Sequence, residues 1–201
     1  MGLTSRVYTV GHSKHEIGYF LGLLEAYGVN CVVDVRSVAA SRYNPQFNKG
    51  KFEASLKEKG ITYLHMGGEF GARQTDPGIL TGGQVDFLKV RKSKKFRSGV
   101  ERLKSGVQKG FTIALMCAEA EPLECHRFSM ISVDLVENGF EVIHILKDKT
   151  TIAHHELEQE LMKKYKKKIL TSGLFDAAQT VKERLAAAYA LQNKEIGFIA
   201  P

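Results

Sequence analysis

Five short β-rich runs, spaced so that a helical stretch fits between successive ones, constrain this chain more than any other feature. Residues 6–10 (RVYTV) stop at Gly11-His12-Ser13, and residues 17–27 follow with Phe20, Leu21, Leu24 and Tyr27 at helical spacing. Gly28 closes that helix, and residues 30–36 (NCVVDVR) are nearly continuous in apolar residues until their end. Such a strand is covered on both faces. A loop through Pro45 leads to a helix over 50–59 ended by Gly60, then to a third strand over 61–66. Residues 85–90 and 96–107 read as helices, 111–116 as a fourth buried strand, 123–138 as a helix closed by Gly139, and 140–146 as a fifth strand. Between them, residues 67–83 carry GGEFGA, DPG and TGG, which predict no stable element.

Strands of this kind alternating with helices predict an α/β fold: a doubly wound, mainly parallel, five-stranded Rossmann-like sheet. After Thr150 the β signal ends, and residues 154–168 and 175–192 read as two amphipathic helices joined by Thr171-Ser172-Gly173. A length of 201 residues suits one main domain with an appendage. The expected division is a domain over 1–150 and a helical extension over 151–201, docked on that domain or used in assembly.

In an open parallel sheet the ligand crevice lies beyond the carboxyl ends of the strands, and the polar residues fall there. The first strand ends in His12 and Ser13, the second in Asp34 and Arg36, and the fourth in Cys117 and Glu119, with Cys125-His126-Arg127 opening the next helix. A helix start favours negative charge, and His126 or Arg127 lowers a neighbouring thiol further, so Cys125 is a candidate nucleophile. The alternative is a small buried packing residue. His12 is a candidate general base, or a structural histidine bonded to a loop carbonyl. Asp34 and Glu119 are candidates for proton transfer, although Asp34 is equally suited to neutralising Arg36 or Arg42. Arg36, Arg42 and Arg127 are candidates for an anion clamp, with pairing to Glu119, Glu121 or Glu124 as the alternative.

Three cysteines is an odd number, which suits reduced thiols better than a disulfide framework. Zinc is the obvious use for Cys117, Cys125, His126 and His12, but Cys117 and Cys125 are eight apart and no C-x-x-C pair exists, so no metal is expected. No cofactor is specified. The first strand is followed by GHSKHE, not a dinucleotide-binding glycine motif; P-loop and nucleophile-elbow motifs are also missing. No apolar stretch reaches signal-peptide or bilayer-spanning length, so a cytoplasmic protein without membrane contact is expected.

A net charge of +7 favours anionic partners. Residues 89–109 hold nine basic residues against one acid, enough to make a nucleic-acid footprint a second candidate.

Taken in order, Thr9-Val10-Gly11-His12-Ser13, Val33-Asp34-Val35-Arg36, Ser41-Arg42 with Pro45 and Phe47, Leu115-Met116-Cys117-Ala118-Glu119, Pro122 and Cys125-His126-Arg127 resemble the family catalogued as domain of unknown function 488. The resemblance implies a Rossmann-like domain over about the first 150 residues, with no reaction assigned. Ala39 stands where that pattern would have a proline. The reading reached is an enzyme, a hydrolase or group transferase, acting on an anionic, nucleotide-like or nucleic-acid substrate. Cys125, His12, Glu119 and Asp34 are its expected catalytic residues, and Ser13, Arg36, Arg42, Cys117, His126 and Arg127 bind. A nucleic-acid-binding module without catalysis is the alternative.

Overall fold

The computed structural model describes residues 5–171 and 180–201. Its centre is a six-stranded sheet built from β1 (Arg6–Gly11), β2 (Cys31–Asp34), β3 (Thr62–His65), β6 (Ile113–Cys117), β7 (Glu141–Ile145) and β8 (Thr151–Ala153). The order across the sheet is β3-β2-β6-β1-β7-β8; the first five strands are parallel and β8 is antiparallel.

The expected count of five strands is therefore corrected to six. Three residues are too few to show a period-2 pattern, and β8 exists because residues 146–150 turn sharply back. Lys149 takes a positive φ of 71°, and the Asp148 carboxylate accepts from both the backbone N–H and the hydroxyl of Thr150.

Alternate residues of the central strands enter two separate cores. On one face Val32, Ala114 and Met116 pack with Phe20, Leu23 and Leu24 of α1 (Ile17–Glu25) and with Phe52 and Leu56 of α2 (Lys49–Glu58). On the other face Val33, Ile113 and Leu115 pack with Phe96, Val100 and Leu103. Burying each such side chain contributes roughly 1.5–3 kcal/mol.

Residues 67–83 are more ordered than their composition suggests. A single turn, α3 (Gly67–Phe70), is followed by a hairpin of β4 (Leu80–Thr81) and β5 (Gln84–Val85), whose Gly82-Gly83 loop has φ of 58° and 79°. Positive φ at both loop positions matches the right-handed twist of a two-residue hairpin, so Thr-Gly-Gly encodes a turn here. Val85 and Gly83 also bond to Phe198 and Ala200. Next come α4 (Phe87–Lys92), capped by Asp86, and α5 (Lys94–Gln108), capped by Ser93.

The helix expected over 123–138 is composite. A 3-10 turn (Pro122–Glu124) leads to an extended Cys125 (φ −128°, ψ 140°), a π-helical turn (Arg127–Ser132) and α6 (Val133–Glu137). α7 (His154–Thr171) and α8 (Val181–Ile196) pack on the π turn through Phe128, with Leu157, Leu161 and Tyr165 on the contacting face of α7. The helix expected from residue 175 is described only from Val181 on. Residues 172–179, including most of the expected joint, lie outside the described residues.

Candidate functional site

β6 lies between β1 and β2, so its carboxyl end is gripped from both sides. The His12 N–H donates to Cys117 O (2.8 Å), Ser13 N–H to Ala118 O (2.9 Å) and Val35 N–H to Met116 O (3.0 Å). The approach is so close that a Cβ on Gly11 would lie 1.9 Å from the Glu119 carbonyl oxygen. Gly11→Ala is expected to push the loop after β6 outwards at a cost of about 1–3 kcal/mol. Urea unfolding checks this, and an alanine variant as stable as the parent would refute it.

On that loop four side chains converge. The donor atoms of Cys117, Glu119, Cys125 and His126 all lie within 4.8 Å of one another. Glu119 Oε2 is 2.8 Å from Cys117 Sγ and 3.1 Å from Cys125 Sγ, and His126 Nδ1 is 3.9 and 3.8 Å from the same two sulphurs. His126 Nε2 lies 3.3 Å from Val35 O, so Nε2 carries a proton and Nδ1 faces the sulphurs. Glu119 is an exposed residue, whereas Cys117, Cys125 and His126 are buried, so its side chain covers the sulphurs from the solvent side.

The helical turn that follows favours negative charge on Cys125. Its carbonyl accepts from Phe128 N–H (3.1 Å) and its Sγ from Arg127 N–H (3.4 Å), which makes an N-cap of the cysteine. Burial opposes ionisation, but the hydrogen bond from Cys117 and the charges of Arg127 and His126 outweigh it and hold the Cys125 thiol well below its ordinary range. Burial and the same hydrogen bond keep Cys117 well above its range. Burial also opposes the His126 imidazolium, yet Cys125 and Glu119 raise it; Glu119 is itself raised by burial and by Cys125. The arrangement sets two thiols of opposite tendency, Cys125 towards ionisation and Cys117 away from it, beside an imidazole and a carboxylate.

A second cluster lies alongside. Arg36 donates from Nε to Asp34 Oδ1 (2.9 Å) and from Nη2 to Asp34 Oδ2 (2.6 Å), and Asp34 also accepts from the Arg36 N–H and the Tyr63 hydroxyl. The rest of the guanidinium meets Phe47 O and His12 Nε2. His12 bonds Ser13 O through Nδ1 and stacks on Phe47 at 4.4 Å. Burial lowers its pKa to about 4, so it is neutral at physiological pH with its Nε2 lone pair engaged by Arg36. For Asp34 and Arg36 the structure realises the mutual neutralisation that the sequence left open, and for His12 the bond to a loop carbonyl.

The other arginines part company. Arg127 is fully buried and holds the loop by donating to Glu119 O (2.6 Å) and Ala120 O (2.9 Å). Among the described residues it makes no ion pair with a carboxylate. Arg42 is exposed on the loop after β2, and Ser13, in a left-handed conformation (φ 47°), is half-buried at the end of β1.

Several participants escaped sequence reasoning. Tyr63 completes the Asp34–Arg36 cluster together with Phe47, which belongs to the family pattern but had no role attached; Tyr63 was discoverable from register, since β3 pairs in parallel with β2 and sets it two residues before the partner of Asp34. A hydrogen-bonded chain from the buried Thr9, His144 and His154 through the half-buried Tyr189 to Glu158 had no signal, because its members lie on four separate elements.

The fold and its centre define an α/β protein with a mostly parallel sheet and a cysteine-histidine-carboxylate cluster at the strand ends. The model of the family described as domain of unknown function DUF488 matches residues 16–132, more than half of the chain, and the protein belongs to that family. The match includes the whole cluster and the Asp34–Arg36 pair. No curated protein and no solved structure matches the chain. Among the described residues no helix is long and apolar enough to cross a membrane.

Proposed function

We propose that the protein is an enzyme, of hydrolase or group-transferase type, whose working centre is the Cys125 cluster and whose substrate is anionic and nucleotide-like. One observation carries this reading: two thiols, a carboxylate and an imidazole, drawn from a strand end and a helix entrance, meet within 4.8 Å where an open parallel sheet offers its crevice. Cys125 is the nucleophile, and His126, oriented by Val35 O, takes its proton. Glu119 covers the pair and controls access. His12, Asp34 and Arg36 act as positioning residues, because their polar atoms are already engaged with one another. Anion contacts fall to Arg42 and Ser13, which keep solvent access.

Selective alkylation tests the reading. At pH 6.5 iodoacetamide is expected to modify Cys125 at least about tenfold faster than Cys31, a buried thiol that burial pushes up to about 11. Glu119→Ala is expected to speed this further, and nucleotides that bind to slow it. Equal, slow modification of both cysteines would remove the nucleophile.

The rival reading, a nucleic-acid-binding module, has one observation in its favour: Lys92, Lys94, Lys95, Arg97, Lys104 and Lys109 are exposed. Against it, Lys89, Arg91 and Arg102 are occupied by Leu80 O, Asp134 with Glu137, and Glu69, and Phe96 is fully buried and so unable to stack on a base. Six phosphate contacts would give a log–log salt slope of about −5. A flat response is expected.

A further inference from the structure

We infer that Cys117, Glu119, Cys125 and His126 together bind one divalent ion of the zinc class. The inference rests on the reading of this cluster as the working centre: with the ion bound, Cys125 and His126 are ligands, so the nucleophile belongs to the metal-free form and the ion holds it in reserve. The sequence offers no C-x-x-C pair; the donors come instead from the end of β6 and from the entrance of the π turn, brought together by the loop that Arg127 ties through Glu119 O and Ala120 O.

Geometry comes first. A tetrahedral ion bonded at about 2.3 Å to sulphur and about 2.0 Å to nitrogen sets its sulphur–nitrogen edges at about 3.5 Å. The two edges here are 3.9 and 3.8 Å. Glu119 Oε2, at 2.8 and 3.1 Å from the sulphurs, is closer than the edge of about 3.5 Å that the same bond lengths require. Withdrawing it by about half an ångström opens the centre, and Glu119 is the exposed member, free to move outwards.

The surroundings are those of a ligand set. His126 is anchored by Nε2 on Val35 O, the outer-shell bond that fixes a ligating imidazole and aims its other nitrogen. Arg127 N–H donates to Cys125 Sγ, which supports a thiolate ligand. Val35, Met130 and Ile131 belong to the core cluster that contains both cysteines, and limit water on the inner side.

Two thiolates and one carboxylate around a dication leave a net charge of −1. The fully buried Arg127 guanidinium bonds to loop carbonyls, has its Nε without a partner, and makes no ion pair with a carboxylate among the described residues. It is the counter-charge such a complex needs. Two sulphurs and an imidazole select zinc-class ions over magnesium or calcium, which require oxygen donors.

The test titrates metal-free, reduced full-length protein with Co2+, Zn2+ and Mg2+. One equivalent of Co2+ is expected to give the intense visible bands of a tetrahedral thiolate complex. Zn2+ should displace it, Mg2+ should not, and Zn2+ should protect Cys117 and Cys125 from iodoacetamide. Glu119→Gln, at an exposed position, is expected to keep the fold by circular dichroism and to weaken Zn2+ binding about 10–100-fold, while Cys125→Ser abolishes the cobalt spectrum. Protein that takes up no Co2+, or whose uptake is untouched by both substitutions, overturns the inference. If Cys125 in that metal-free protein still alkylates selectively, the proposed function stands without the ion. Ion binding without selective alkylation of the metal-free form would leave the ion and remove the nucleophile.

Discussion

Replacing Arg36 by methionine is expected to cost about 3–5 kcal/mol, because it leaves Asp34 buried with its charge unpaired. Asp34 is 0% and Arg36 6% exposed, so solvent cannot take the guanidinium's place. The Arg36 N–H and the Tyr63 hydroxyl remain on the carboxylate, but neither carries charge. The same substitution strips Phe47 O and His12 Nε2 of their donor, and with them a support of the loop that ends β1. Asp34→Asn combined with Arg36→Met should recover a large part of the loss, since no buried charge is then left alone. Equilibrium urea unfolding of the two single variants and the double variant checks this. A single variant within about 1 kcal/mol of the parent would mean that water reaches Asp34.

Acid is the second large effect. His144 and His154 are buried, Nε2 of one 3.1 Å from Nδ1 of the other. Burial pushes His154 down to about 3, and burial with the neighbouring His154 pushes His144 well below its ordinary value. The Thr9 hydroxyl bonds His144 Nδ1, and His154 Nε2 meets the Tyr189 hydroxyl, which donates to Glu158, and lies 3.6 Å from the Glu158 carboxylate; the charges of Arg127 and His155 also bear on the pair. Both rings stay neutral when folded and take up protons near pH 6.5 when unfolded. The unfolded chain therefore binds more protons below that pH. Stability is complete above about pH 6.5 and falls as the pH drops towards the folded values, by up to about 3 kcal/mol per pH unit for the two rings together. Glu158, raised by burial, returns part of this by binding its proton earlier in the folded state. Unfolding curves at pH 7, 6 and 5 should show the decline, and His154→Gln should flatten it by roughly 1.4 kcal/mol per unit. A pH-independent midpoint would show that the rings reach water.

The five long strands were legible because each is a run of apolar residues bounded by glycine or polar turns, a pattern that survives any tertiary arrangement. β8 and the β4–β5 hairpin were not, since two or three residues show no periodicity and are held by a turn. The strand-end residues could be placed at one end of the sheet from sequence. Their division into two clusters could not, because it depends on β6 lying between β1 and β2, and strand order leaves no trace in local pattern. Cys125 illustrates both sides. Its place at a helix entrance was readable, but its partnership with Cys117 and Glu119 depends on a loop folded back by Arg127, a residue expected to face a ligand.

The position of β1 also has a kinetic meaning. The first strand pairs only with strands formed more than a hundred residues later, Ile113–Cys117 on one side and Glu141–Ile145 on the other. During synthesis β2 and β3 can join early, while β1 must wait. The segment that zips β1 to β2 is the one that ends in Cys117, so the gap in the middle of the sheet is closed by the same strand that supplies the first member of the cysteine–histidine cluster. A half-assembled chain in which β1 and β2 stand apart therefore lacks the backbone bonds from His12, Ser13 and Val35 that hold the end of β6 and the loop after it.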